Sequence, residues 1–286
     1  MEPIIQISDL RKAYGDLHVL NGIDLSIAKG EVFGLLGANG AGKSTMIECV
    51  LGTRKADGGH VSILGMSPQK ERKKLFEQVG VQFQEANYPD KIRVEELCQE
   101  TSCLYRNPAS YRELLHRFGL TDKEKSYVSE LSGGQKQKLF IILALIPNPQ
   151  VVFLDELTTG LDTKARRSVW KSLKELKEKG LTILLTSHFM DEVEELCDRI
   201  GILKDGQFLF CGTVSEAIAK SPYEQLEDAY LWFTGEEADD NESVFHHLAN
   251  TDKAVFSWHG YDYFCHLYAC CYGAAAWRTV WQQTRI

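Results

Sequence analysis

The sequence predicts an α/β fold built on a mostly parallel sheet, and three observations carry that expectation. Short, almost uninterrupted apolar runs recur along the chain: EVFGLLG at 31–37, VVFLDE at 151–156 and LTILLTSH at 181–188. Stretches with helical patterning separate them, closed by glycine or proline. Strands that lack a polar face and alternate with helices imply a parallel sheet covered on both sides. Between about 85 and 149 the chain turns helix-rich, which reads as a helical subdomain inserted into that core.

Taken in order, residues 2–37 hold three strand-like runs broken by Gly15, Gly22 and Gly30. The last run, Glu31 to Gly37, opens into a glycine-rich loop, after which KSTMIECVLG is helical up to Gly52. GHVSILG at 59–65 is a further strand. The helical block contains VEELCQE (94–100), ASYRELLHRFGL (109–120) and GGQKQKLFIILALI (133–146), and Pro147, Asn148 and Pro149 end it. Alternation then resumes with strand VVFLDE, helix TKARRSVWKSLKELKEKG stopped by Gly180, strand LTILLTSH, helix MDEVEELCDR and strand IGILKDG. Residues 1–235 are expected to form one domain, with 236–286 a C-terminal extension of uncertain role. That extension is dense in Trp, Tyr, Phe and Cys with no clear period. It reads as an appended packing element or an extension foreign to the domain, with a partner- or membrane-contact surface as the alternative. Its stretch Tyr261–Trp277, interrupted by Asp262 and His266, is short for a membrane helix.

The 44% hydrophobic and 25% charged content is that of an ordinary globular chain, and the net charge of −8 argues against a nucleic-acid partner. No run approaches the ~18–20 apolar residues of a membrane span, and Met1–Leu10 has no signal-peptide pattern. The eight cysteines show no C-x-x-C spacing and read as free cytosolic thiols.

GANGAGKST, Gly37 to Thr45, fits G-x-x-x-x-G-K-[ST] and lies between a strand and a helix, as a phosphate loop requires. Its glycines let successive backbone N–H groups face phosphate oxygens. Lys43 is suited to the β- and γ-phosphates and Ser44 to Mg²⁺. A glycine-rich turn with an incidental lysine would not have these flanking elements. A P-loop NTPase core is therefore expected, with Gly37, Asn39, Gly40, Gly42, Lys43, Ser44 and Thr45 contacting the nucleotide.

VVFLDE ends in two carboxylates at the C-terminal edge of a strand, where open α/β sheets bind ligands. Asp155 is suited to hold Mg²⁺ directly or through water. Glu156, expected to point elsewhere along a pleated strand, is suited to polarise an attacking water. Capping or solvated acids are the plainer reading, disfavoured once the phosphate loop is granted. LSGGQKQK, Leu131 to Lys138, adds a second helix N-terminus with bare N–H groups, which attracts anions.

In their order along the chain, GANGAGKST, LSGGQ, VVFLDE, TTGLD and TSH resemble the nucleotide-binding subunit of an ATP-binding-cassette (ABC) transporter, over roughly residues 4–220. The resemblance implies an N-terminal antiparallel β subdomain beside the P-loop core and the inserted helices. It implies ATP and Mg²⁺, hydrolysis of the ATP, and two such chains, identical or different, closing on two nucleotides. Tyr14 matches the aromatic that stacks on adenine. Gln84 matches the glutamine that senses Mg²⁺ and the attacking water, with Gln82 a neighbouring possibility. His188 matches the histidine that bonds the γ-phosphate, and Asp162 matches the residue that contacts the opposite subunit. Ser132, Gly133, Gly134 and Gln135 match the signature that binds ATP held by the other subunit, so LSGGQ is half of a site aimed outward. The chain departs from the usual pattern with Leu157 in place of proline and Lys138 in place of arginine. The former carries no chemistry and the latter keeps the charge.

A separate transmembrane permease is implied as partner, with the chain held at the cytoplasmic face of the membrane through it. The single cassette, VGVQFQEANYPDKIRVEELC around Gln84, and LEDAYLWFTGEE look more like bacterial exporters than importers. A soluble ABC protein acting on ribosomes or nucleic acid is the alternative, disfavoured by one phosphate loop, no heptad arm and no zinc pattern. A P-loop kinase would leave LSGGQ and His188 unexplained.

Overall fold

The computed structural model describes residues 3–82, 88, 89 and 91–235. Two sheets organise them. Strands β1 (Ile5–Tyr14), β2 (Leu17–Ile27) and β4 (Gly58–Ile63) form an antiparallel sheet in the order β2-β1-β4. The second sheet has six strands, from β3 (Val32–Leu36), β5 (Val79–Gln82), β6 (Val151–Leu154), β7 (Thr182–Thr186), β8 (Arg199–Lys204) and β9 (Gln207–Thr213). Its order is β5-β6-β7-β3-β8-β9, parallel throughout except for the antiparallel edge strand β9.

The burial patterns explain the split. Every residue of β3, β6 and β7 is buried, as a strand covered on both faces must be. In β1, by contrast, Ile5 and Ile7 turn inward while Gln6 is exposed, as in a sheet with one wet face. That inner face packs Ile5, Ile7, Leu10 and Leu25 against Phe33 and Leu35 of β3 and against Met46 and Val50 of helix α1 (Lys43–Val50).

Between β5 and β6 run the helices α3 (Val94–Cys103), α4 (Tyr111–Arg117) and α5 (Gly133–Leu145); short α2 (Arg72–Phe76) precedes β5. The inserted helices share a core with the other face of the sheet, where Leu114, Phe118, Leu139 and Ile142 meet Leu154, Leu173 and Leu185. Gly80 of β5 sets how close α5 can come: a Cβ there would lie 1.8 Å from the Ala144 carbonyl oxygen. Helix α6 (Thr163–Glu178) lies against the same core through Val169, Trp170 and Leu173.

The C-terminal end of the described chain holds α7 (Met190–Leu196), α8 (Val214–Lys220) and α9 (Leu226–Thr234). They close over β8 and β9 around Leu36, Ile200, Ile202, Phe210 and Leu226. β9, α8 and α9 go beyond the sequence-based expectation. The signal for α8 is a capping box in T-V-S-E: Thr213 Oγ1 accepts from the Glu216 N–H at 3.1 Å, and Glu216 Oε2 accepts from the Thr213 N–H at 2.8 Å.

One expectation is corrected. β6 ends at Leu154 rather than running through VVFLDE, so Asp155 and Glu156 lie in the turn that follows. Glu156 has φ of +49°, outside the extended region of regular pleated strand. The backbone, rather than alternation along a strand, separates the two carboxylates.

Candidate functional site

The C-terminal ends of β3, β6 and β7 converge, and each releases a turn that carries polar residues. After β3 the phosphate loop wraps into α1. Gly42, the N-cap of α1, has φ of +103°, and a Cβ there would meet the Val19 carbonyl oxygen at 3.0 Å and the Leu20 side chain at 3.3 Å. Only glycine makes this bend under β2 without strain. No side chain caps α1 and no acid occupies its first turn, so its N–H groups are available to an anion. Ser44 is exposed at that first turn, Thr45 is half-buried, and Asn39 and Gly40 are exposed in the loop.

Lys43 is buried, and its Nζ donates to the carbonyls of Gly37 (2.7 Å) and Ala38 (3.0 Å). Burial lowers its pKa, while the Asp155 and Glu156 carboxylates act in the opposite sense.

In the turn after β6, burial raises the Asp155 pKa, opposed first by a hydrogen bond from Thr186. That hydroxyl donates to Asp155 Oδ1 at 2.5 Å and accepts the Glu156 N–H at 2.9 Å. The left-handed Glu156 costs about 1 kcal/mol or more in backbone strain, so its neighbours must hold it. Its Oε1 lies 3.4 Å from His188 Nε2, and the half-exposed imidazole stands two residues beyond the end of β7. The structure thus brings Lys43, Asp155, Glu156 and His188 to one sheet edge. Oxygen donors from Ser44 and Asp155 suit a hard divalent cation such as Mg²⁺.

Tyr14 ends β1, half-exposed, with Lys12 Nζ 5.3 Å and the Arg54 guanidinium 5.4 Å from its ring centre. Gln84 lies outside the described residues. Gln82 is buried at the end of β5, and its carbonyl accepts the Asp155 N–H at 3.2 Å.

The signature segment starts α5. Ser132 is its N-cap: Ser132 Oγ accepts from the Gln135 N–H at 3.3 Å, and Gln135 Oε1 accepts from the Ser132 N–H at 2.9 Å. Gly133 is open to solvent, with nothing within 4 Å of where a Cβ would stand, whereas Gly134 packs against Leu161. Asp162 has a local role too, capping α6 by accepting the Ala165 N–H at 2.8 Å.

Three polar residues of this region were not foreseen from sequence. Thr186 lies inside the TSH motif, two residues before His188. Gln137, inside LSGGQKQK, donates from Nε2 to the carbonyls of Glu156 and Leu157, both at 3.0 Å. Glu192 of α7 is fully buried and accepts from Trp170 Nε1 at 2.9 Å.

Known proteins are similar to this chain. The family described as "ABC transporter" matches residues 20–159. The linearmycin resistance ATP-binding protein LnrL of Bacillus subtilis is 38% identical over 222 residues, 76% of this chain and 71% of that one. The Nod factor export ATP-binding protein I of Rhizobium etli is 38% identical over 219 residues, covering 75% and 69%. Among solved structures, an ATP-binding subunit of an ABC transporter superposes with a TM-score of 0.75 at 27% identity, covering 81% of this chain and 99% of that one. A dimeric ATP-binding cassette in a post-hydrolysis state bound to ADP and Pi gives a TM-score of 0.66 at 26% identity, covering 73% and 98%.

Proposed function

The chain belongs to the ABC transporter family as an ATP-binding, ATP-hydrolysing subunit, and from that premise we propose that it powers export through a separate membrane-embedded permease. The relatives named for antibiotic resistance and for Nod factor export support the direction. Among the described residues no helix is long and apolar enough to cross a membrane, which fits a chain held at the cytoplasmic face by its permease. What is carried is then chosen by the permease's helices.

The observation that carries the reading is the Glu156–His188 pair, 3.4 Å apart, on the sheet edge that also holds the phosphate loop. Glu156 is the general base that takes a proton from water as it attacks the γ-phosphate. His188 orients that carboxylate and bonds the γ-phosphate. Lys43 exchanges its loop carbonyls for β- and γ-phosphate oxygens, and the uncapped start of α1 adds N–H donors. Ser44, Asp155 and Gln84 would hold Mg²⁺, which neutralises charge on the phosphates when bound. Tyr14 stacks on adenine, with Lys12 and Arg54 supporting its ring.

Ser132, Gly133, Gly134 and Gln135 bind the ATP of a second copy or a paralogue, and Asp162 stands at the same interface. The dimeric cassette among the solved relatives supports this assembly. Two ATP molecules then close the dimer and their hydrolysis lets it open.

Glu156→Gln tests the reading. Turnover should fall at least about a hundredfold, with ATP affinity within threefold and an ATP-dependent dimer accumulating on gel filtration. Unchanged hydrolysis rejects Glu156 as the base. Purification from membranes should bring a polytopic protein in stoichiometric amount; recovery with ribosomes or nucleic acid instead would overturn the transport reading.

A further inference from the structure

We propose that Gln137 is a positioning residue for hydrolysis, holding the catalytic turn from the signature helix of the same chain; this rests on Glu156 being the base. Glu156 occupies a left-handed conformation, which persists only where the surroundings over-determine it. Its N–H is held by Thr186 on β7. Its carbonyl, and that of Leu157, are held by the two N–H bonds of the Gln137 amide at 3.0 Å each. The peptide that aims the base is thereby gripped from both ends, by β7 and by α5. Each amide hydrogen of Gln137 has its own carbonyl, so a side chain of the same size without N–H groups releases both at once.

The grip has a direction. α5 starts at Ser132, and Gln137 sits five residues on, about 7–8 Å along the axis. One rigid helix therefore carries the outward-facing signature at its tip and the support of Glu156 on its second turn. What Ser132 meets on a partner is transmitted through α5 to the turn that aims this chain's own base.

The test is steady-state ATP turnover of the full chain with MgATP, comparing Gln137→Met, Gln137→Glu and Gln137→Lys with the parent and with Glu156→Gln. Gln137→Met keeps the length and loses the donors; kcat should fall about tenfold, with KM and the ATP dissociation constant within twofold. Gln137→Glu sets a carboxylate against two carbonyls and should fall further. Gln137→Lys returns N–H donors and should recover part of the loss. A Gln137→Met kcat within twofold of the parent, or a rise in KM alone, overturns the proposal. If Gln137→Met does not fold, Gln137→Lys and Gln137→Glu decide it: equal turnover in both overturns it. Should Glu156→Gln itself turn over normally, the base assignment fails and takes this proposal with it. Loss in Glu156→Gln with none in Gln137→Met sinks the positioning role alone.

Discussion

The Thr186 hydroxyl donates to Asp155 Oδ1 at 2.5 Å while accepting the Glu156 N–H at 2.9 Å. One side chain from β7 thus orients a buried carboxylate and pins the backbone of the next residue. Thr186→Val keeps the shape and removes both interactions. It should cost about 1–3 kcal/mol of stability, because a buried acceptor and an N–H lose their partner. Turnover should fall roughly tenfold or more, as misplaced catalytic groups do. Urea unfolding and ATPase assays on one preparation check both; loss of stability without loss of turnover would show that the hydroxyl only supports the fold.

Ser132 is both the tip of the signature and the cap of α5, so a single substitution mixes two effects. Ser132→Arg should block ATP-dependent dimerisation yet spare nucleotide binding to the isolated chain, and losing the cap should cost about 1 kcal/mol. Ser132→Asp separates the roles, since aspartate caps as well as serine but repels a phosphate. Both variants should fail to dimerise while only Ser132→Arg loses stability, read by sedimentation and thermal melts. Dimerisation by either variant at parental ATP concentration would refute the trans role.

Glu192 predicts a pH effect. Burial pushes its carboxyl above the ordinary 4.5; the Ser187, Trp170 and Thr158 donors and the Arg166 charge act the other way. A carboxyl with a raised folded pKa favours the folded state below its unfolded value. That contribution is lost as pH rises through the folded pKa. The parent should therefore lose stability relative to Glu192→Gln as pH goes from about 4 to about 7. Parallel denaturant curves across that range measure the slope; a difference that is flat or of opposite sign contradicts it.

Thr186, Gln137 and Glu192 mark the limit of what can be read from the chain. The phosphate loop, the acidic pair and LSGGQ were legible because contiguous backbone must present them, which confines their residue types and spacing. The sheet was legible because β3, β6 and β7 are covered on both faces and carry no charged residue to obscure the pattern. Thr186, Gln137 and Glu192 act on residues 30, 19 and 22 positions away respectively. No local spacing reports such partners. The turn after Leu154 was misread because pleat alternation says nothing about a left-handed residue imposed by tertiary contacts. Thr213 and Glu216, by contrast, announce α8 locally through their capping box.

Lys43 carries a last consequence. With its ammonium on the Gly37 and Ala38 carbonyls, the phosphate contact proposed for Lys43 is an exchange of acceptors rather than the capture of a dangling charge. A ligand gains only the difference between phosphate oxygens and two peptide oxygens already in place. A nucleoside or a monophosphate, which brings nothing to the lysine, leaves that internal bond standing and forgoes its contribution. On the proposed role of Lys43, discrimination for the length of the phosphate chain is written into the loop's own backbone before any metal or partner takes part.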